Sequence, residues 1–361
     1  MSKRLSVGIL GGGQLGMMLC KASKKMNITT HIFCPDNNSP ARFSSDFFTC
    51  RDYLDENEIN DFDNKVDIIT FEFENIPKRT LEIINPKKIR PGIKSLEHSQ
   101  DRLFERKLLE KLKIPFAPYS ELRNKRDFTH SKSKFNESII KTRRFGYDGK
   151  GQISINKNTE FNENISILLN EAIIEKKISF DLEFSLVSCR DTFGNIIHFP
   201  LTENVHENHI LKHSYAPLEL SQELEDQAKE INSKILCELD HIGILTVEFF
   251  KIKKSIIVNE IAPRVHNSGH WTIEGCSSSQ FDLHMQAIAG EKIIQPKITS
   301  NCHMVNLIGD DIKEWINKKS SDKINIHLYK KNEIKKGRKM GHVTYLIAVS
   351  YTHLRAHETP I

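Results

Sequence analysis

Two stretches of this sequence concentrate residue types that handle anions. KTRRFGYDGKGQ (141–152) interleaves Lys141, Arg143, Arg144 and Lys150 with Gly146, Gly149 and Gly151. Its charge argues against a core strand and its glycines against a stable helix. Glycine also lets a backbone approach a ligand closely. IAPRVHNSGHWT (261–272) places Arg264, His266, Asn267, Ser268 and His270 within seven positions and has no helical period. It suits a loop that binds a small anion; the plainer reading is a solvent-facing loop anchored by Trp271. Glu248 in LTVEFF and Glu260 in VNEIAPR lie on two predicted neighbouring strands around the turn KIKKS. An antiparallel hairpin can point two such residues to one face. With Asn259 beside them they are suitable oxygen ligands for Mg²⁺ bridging nucleotide phosphates. The alternative is an inward acid paired with Arg or Lys. Glu260 interrupts the apolar run IIVNEIA, where a charge is costly unless paired or metal-bound, and this favours the metal.

A third motif, GGGQLG (11–16), fits G-x-G-x-x-G after a strand and before a helix. The dinucleotide reading needs a ribose-binding acid about 20 residues on, for which Asp36 qualifies. The plainer reading is a tight turn that packs a helix on a sheet, its amides open to any phosphate. In the segment around the lysine-glycine stretch, Lys141 ends an apolar strand and can neutralise a phosphate. Glu175 and Glu183 flank a run containing Ile178 and Phe180, to which spacing alone assigns no ligand.

The elements that must position these residues fall into three groups. Residues 5–10, 29–34 and 66–73 read as buried parallel strands alternating with helices, which predicts a doubly wound α/β unit at about 1–95. A helix around 99–112 follows. Residues 115–180 read as a small α+β lid, with strands near 138–142 and 152–156 and a helix near 163–170. From 181 to 300, long alternating runs predict a large antiparallel sheet interrupted by a helix at about 221–239. Short strands continue through 302–346.

Composition excludes several function classes. With 52 Lys+Arg against 47 Asp+Glu, the net +5 gives no case for nucleic-acid binding. The local excess at Lys132, Lys134, Lys141, Arg143, Arg144 and Lys150 suits a phosphate ligand. Seven scattered cysteines without a CxxC pair argue against a disulfide framework or a zinc ribbon and for a reducing compartment. The first apolar run passes into the glycine turn without a signal-peptide pattern, and no run has the length of a membrane span. The expectation is a soluble, cytoplasmic protein.

Taken together, GILGGGQLG, KTRRFGYDGKGQ, PLTENVHENHIL and VNEIAPRVHNSGHWT resemble the ATP-grasp ligases, and among them the N5-carboxyaminoimidazole ribonucleotide synthetases, over about residues 5–346. YKKNEIKKGRKMGHVT resembles that family's C-terminal signature. The resemblance implies an ATP-grasp architecture: an N-terminal parallel-sheet domain (1–95), a linker helix and lid (96–180), and a large antiparallel-sheet domain with a C-terminal extension (181–347). It implies carboxylation of aminoimidazole ribonucleotide with ATP, Mg²⁺ and bicarbonate, by a homodimer. Arg102 and Lys141 would contact ATP phosphates. The loop of Gly146, Tyr147, Asp148, Gly149, Lys150, Gly151 and Gln152 would close over the triphosphate and the second substrate. Glu175, Lys176, Lys177 and Ile178 would form the adenine hinge, with Glu183 on the ribose and His206 near the nucleotide. Glu248 and Glu260 would hold Mg²⁺, with Asn259 adjacent. Gln14, Leu15, Glu72, Tyr147 and Asp148 would face the ribonucleotide, and Lys331 and Arg338 its 5′-phosphate. Arg264, His266, Asn267 and His270 would surround bicarbonate or carboxyphosphate, with Asp148 as candidate base.

Two positions depart from the family pattern. Phe145 stands where many relatives have glycine. The tail AVSYTHLRAHETPI (348–361) has no amphipathic period and reads as non-native. Three rivals remain: another ATP-grasp ligase such as the formate-using glycinamide ribonucleotide transformylase, from which HNSGHWT discriminates; an NAD(P) oxidoreductase, which leaves Glu248, Glu260 and the lid unexplained; and a non-catalytic nucleotide-binding homologue.

Overall fold

The structure, a computed structural model, describes residues 4–146 and 151–347. Four parallel strands open it: β1 (Ser6–Leu10), β2 (Thr29–Phe33), β3 (Phe47–Thr49) and β4 (Ile68–Phe71), in the order β3-β2-β1-β4. Strand residues alternate between faces. Val7 and Ile9 join Met17, Met18 and Leu19 of the helix Gln14–Lys25. Leu10 joins Ile59 and Phe62 of the helix Glu56–Lys65 on the other face. The three expected strands are present; β3, three residues long and without an apolar run, was not anticipated. The single helix expected at 99–112 is two, Ile93–Ser99 and Arg102–Lys111. Asp101 breaks them apart by capping the second, its carboxylate accepting from Leu103 N–H at 2.9 Å.

The lid is an antiparallel sheet of β5 (Tyr119–Glu121), β6 (Ser138–Thr142), β7 (Gln152–Ile155) and β8 (Ala172–Lys176), ordered β5-β8-β6-β7. It has its own core, in which Leu122, Phe128, Phe135, Ile140 and Ile174 meet. The helix expected at 163–170 spans only Glu163–Ser166.

The large sheet has nine strands: β9 (Leu182–Arg190), β10 (Ile196–His198), β11 (Thr202–Glu207), β12 (Ile210–Ala216), β13 (Gly243–Ile252), β14 (Ser255–Ala262), β15 (Asn301–Ile308), β16 (Ile324–Leu328) and β17 (Lys339–Ile347). Their order is β14-β13-β9-β11-β12-β15-β17-β16, with β10 on β9. Phe184, Leu186, Val247 and Phe249 pack on the helix Gln222–Glu238 through Leu224, Ala228, Ile231 and Ile235. The intervening residues, Glu183, Ser185 and Glu248, therefore face the opposite way.

That opposite side is closed by the helix Gln280–Ala289, which the sequence reading missed along with β12. His284 on this helix bonds Thr70 of β4 at 2.9 Å and accepts from Ile244 N–H of β13 at 3.1 Å. One apolar cluster runs from Met18 and Ile32 through Val265, Trp271 and Phe281 to Met304. The first and last units thus share a core. No helix among the described residues is long and apolar enough to cross a membrane.

Candidate active site

A cleft of about 1040 Å³ lies between the lid, the large sheet and the C-terminal ends of the parallel strands. Glu248 and Glu260 are direct cross-strand partners on its wall. The register then skips Asn259, since Phe249 pairs with Val258. This β-bulge places two residues opposite one and re-aims the bulged strand, so Asn259 and Glu260 both line the cleft. A second bulge in the β11–β12 ladder sits beside His206. His206 Nδ1 bonds Glu183, and both line the cleft. Burial works against the charged imidazole, but Glu183 and then Glu248 outweigh it and raise its pKa.

The Glu260 carboxylate opposite Glu248 disfavours ionisation of Glu248. Burial, then Glu260, push the Glu248 carboxyl up to about 8. A dication held between them removes that penalty. Among the described residues no group of three or more His, Cys, Asp or Glu forms a metal cage. The donor set is instead two carboxylates beside an amide, which fits magnesium sharing its shell with substrate oxygens.

Facing these carboxylates, Arg102, Arg106 and Lys141 are each paired with acids of the cleft wall, Arg106 with Glu105 as well as Glu175. Arg102 Nη1 stands 3.5 Å from Glu260, and Lys141 Nζ 2.6 Å from Glu175. Glu175 also takes Arg106 Nε at 2.5 Å. Burial opposes its ionisation, but Arg106 and Lys141 prevail and hold its pKa down to about 2. Burial, with Arg102 and Arg106 nearby, lowers the Lys141 pKa. Glu175 thus contributes a buried carboxylate, and Lys176, Lys177 and Ile178 line the cleft beside it. Arg106 escaped the sequence reading. It sits mid-helix yet is 1% exposed, and it also donates to the Asn259 carbonyl at 2.7 Å.

In the HNSGH loop, the expected residues divide. Arg264, His266 and Asn267 line the cleft. Both polar atoms of the Asn267 amide are buried without partners. Arg264 Nε pairs with Glu74 at 2.6 Å, an acid the sequence reading passed over. His270 does not belong with them. It is fully buried, 4.8 Å from the His342 ring and 5.6 Å from Phe281, in the core behind the loop. The helical turn that begins at Asn267 rotates it away from the cleft. Lys339, also missed, lines the cleft from the start of β17.

A second cavity of about 290 Å³ adjoins the first, and Gly13, Gln14, Glu72 and Phe73 line both. Lys331 and Arg338 reach it from the segment between β16 and β17, far from it in sequence. Leu15 is on the main cleft wall. Two amides of the glycine turn are already occupied. Glu72 accepts from Gly13 N–H at 2.7 Å and from Gly16 N–H at 3.3 Å. Burial raises the Glu72 pKa, and these two donors counter it. A Cβ at Gly13 would come within 2.6 Å of the same carboxylate. The turn does pack its helix on the sheet, as the plainer reading expected, but the Gly13 and Gly16 amides are taken by a protein carboxylate and are not open to a phosphate.

In the lid, Lys141, Arg143, Phe145, Gly146 and Gln152 line the cleft, but Lys132, Lys134 and Arg144 do not. Arg143 forks onto Asp101 at 2.9 and 2.6 Å. Gly151 is not on the wall either; at φ +71° it leaves room for Thr142, whose Oγ1 would lie 2.4 Å from an added Cβ. Phe145 has φ +60°, the left-handed conformation in which glycine is favoured, and is exposed. Tyr147, Asp148, Gly149 and Lys150, and the tail 348–361, lie outside the described residues.

Comparison with known proteins places this geometry. Residues 4–100 match the ribonucleotide synthetase preATP-grasp domain, 107–281 the ATP-grasp domain, and 302–355 the phosphoribosylaminoimidazole carboxylase C-terminal domain. An N5-carboxyaminoimidazole ribonucleotide synthase of Brucella melitensis is 37% identical over 94% of this chain and 95% of its own length. A bifunctional purine synthesis protein of Dictyostelium discoideum is 35% identical, but this chain spans only 37% of it. The crystal structure of N5-carboxyaminoimidazole synthetase from Staphylococcus aureus complexed with ADP superposes with a TM-score of 0.88 at 35% identity, covering 96% of this chain and 94% of that one. The Aspergillus clavatus synthase in complex with ADP and 5-aminoimidazole ribonucleotide gives 0.85 at 29% identity, with 96% and 95% covered.

Proposed function

This chain belongs to the N5-carboxyaminoimidazole ribonucleotide synthase family of ATP-grasp ligases, and from that membership we propose how its own residues carboxylate aminoimidazole ribonucleotide with ATP and bicarbonate. The observation that carries the reading is the junction of the two cavities at Gln14 and Glu72. One cavity holds the opposed carboxylates and basic residues that suit a triphosphate; the other holds Lys331 and Arg338, which suit a ribonucleotide 5′-phosphate.

Bicarbonate is a poor electrophile, so ATP activates it. A bicarbonate oxygen attacks the γ-phosphorus, the bond to the ADP oxygen breaks, and carboxyphosphate results. Glu248 and Glu260, with Asn259, would hold magnesium, which when bound supplies neutralisation of the phosphate charge. Arg102 and Lys141 offset the charge spread over the transferring phosphoryl group. Arg264, His266 and Asn267 contact bicarbonate and its phosphorylated form. The exocyclic amine then attacks the carboxyl carbon, phosphate leaves, and Asp148 of the lid takes the amine proton. Gln14, Leu15, Glu72 and Tyr147 orient the ribonucleotide. Closure of Gly146–Gln152 excludes water, to which carboxyphosphate is vulnerable. Glu183 and His206 bind the ribose side of the nucleotide, next to the Glu175–Ile178 hinge. As in the family resemblance, the enzyme is a cytoplasmic homodimer in this reading.

ADP release by the purified protein, with the ribonucleotide and bicarbonate omitted in turn, tests the reading. Turnover is expected to need both, and release independent of the ribonucleotide would remove the assignment.

A further inference from the structure

We propose that Gln280 is a positioning residue that fixes His266 at the carboxylation site, an inference resting on the function proposed above. His266 lies in no strand; its carbonyl accepts from Gly269 N–H at 3.1 Å, and its N–H and the carbonyl's second lone pair need partners from elsewhere. Its N–H donates to Gln280 Oε1 at 2.9 Å, and its carbonyl accepts from Gln280 Nε2 at 2.7 Å. One carboxamide therefore satisfies both main-chain groups of one residue, as a neighbouring strand would. The two bonds also fix which way round the carboxamide lies, since an N–H requires the oxygen and a carbonyl requires the NH₂. The second hydrogen of that NH₂ points to His270 Nδ1 at 3.3 Å. Gln280 is fully buried, and its own N–H donates to Thr272 Oγ1 at 3.0 Å.

The place of Gln280 is set independently of the loop. It is the first residue of the helix Gln280–Ala289, whose start is fixed by the reciprocal bonds of Ser279 and Asp282. The same helix is anchored to β4 and β13 through His284. Gly269 keeps the carboxamide's space open, since a Cβ there would come within 2.8 Å of it.

The imidazole is held by a second set of contacts. Its Nδ1 accepts from Ser268 N–H at 3.3 Å and lies 2.9 Å from Ser268 Oγ, which in turn accepts from Ser185 Oγ at 2.7 Å. A main-chain N–H can only donate, so Nδ1 is the acceptor and Nε2 carries the hydrogen. Nε2 stands 3.4 Å from Glu248 Oε1. Ser185 is the cross-strand partner of Glu248. Main chain and ring are thus both tied to the frame that carries the carboxylate pair, and Gln280 supplies the main-chain half.

A kinetic double-mutant cycle of Gln280→Met and His266→Asn tests this. Met keeps the volume and loses both hydrogen bonds. Gln280→Met is expected to keep its melting temperature within a few degrees, to leave KM for ATP unchanged and to lower kcat/KM for bicarbonate about tenfold. The double variant is expected to be no slower than His266→Asn alone. Additive losses, or wild-type kcat/KM for bicarbonate in folded Gln280→Met, would overturn the inference. Should the Met variant fail to fold, Gln280→Glu, which keeps the acceptor for His266 N–H, takes its place with the same outcomes. A second readout is independent of turnover. Long-range ¹H–¹⁵N spectra of the wild type should show His266 as the Nε2–H tautomer, and Gln280→Met a mixture. A His266 signal unchanged by the substitution overturns the inference even if the proposed reaction proves wrong; loss of bicarbonate-dependent turnover in the wild type alone counts only against the reaction.

Discussion

At the scale of single residues, the cleft is organised around charges that the chain does not neutralise by itself. Burial, and then Glu260, hold the Glu248 carboxyl well above the usual carboxylate range, up to about 8. The unfolded chain gives up that proton in the ordinary carboxylate range. Between the two, the native state binds more protons than the unfolded state, so stability falls as pH rises. Cation-free protein should therefore lose melting temperature between about pH 6 and about pH 8, and Glu248→Gln should flatten that loss. The stabilisation by magnesium and ADP should be larger at the higher pH; an equal gain at both, read by scanning fluorimetry, would take Glu248 out of the cation site. The pairing of Glu248 with Glu260 was legible in the sequence because a hairpin with a short turn leaves little freedom of register. Arg106, Glu74 and Gln280 were not. Each is a polar residue with nothing unusual in its local pattern, and its partner is remote: Arg106 meets Asn259, Glu74 meets Arg264, and Gln280 meets His266. His270 was misassigned for the converse reason. Its neighbours in sequence face the cleft, and one helical turn is enough to send it into the core.

At the scale of elements, the lid is joined to the helix Arg102–Lys111 through one acid. Asp101 caps that helix and receives the Arg143 fork, while Arg102 N–H donates to the Arg143 carbonyl at 2.9 Å. Asp101→Ala should cost about 2 kcal/mol, roughly half from the cap and half from the charge-assisted pair. Arg143→Lys should cost less but still weaken ADP binding, because lysine cannot fork. Urea denaturation and ADP titration read the two effects; a wild-type midpoint for Asp101→Ala would show that the joint bears no load. Strands were legible where apolar runs were continuous or alternating, as in β1, β9 and β13. β12 was not, because ILKHSYA carries Lys212 at a bulge and two half-buried polar positions that blur the period. The helix Gln280–Ala289 is buried on most of its surface, so it lacks the polar face that marks an amphipathic helix.

At the scale of the whole molecule, the division of cores predicts the division of motion. The lid packs around Phe128 and Ile140 by itself, whereas the parallel sheet and the large sheet share one cluster across the helix Gln280–Ala289. Ser95 with His241 at 2.9 Å, and Arg90 with the Ile288 carbonyl, add polar ties across the same boundary. Amide hydrogen exchange should be fastest in β5–β8 and slow there on addition of ADP, with β1, β4 and β13 exchanging late and together. Early exchange of β1 apart from β13 would show the shared core to be wrong. A consequence follows for the thermodynamics of filling the site. Lys331 and Arg338 meet the glycine turn across the shared core, so the proposed ribonucleotide half is assembled before anything binds. If the lid moves as its separate core predicts, the lid half must still be immobilised. The entropy of closure is therefore charged to ATP, and the ribonucleotide enters a preformed socket at little conformational cost.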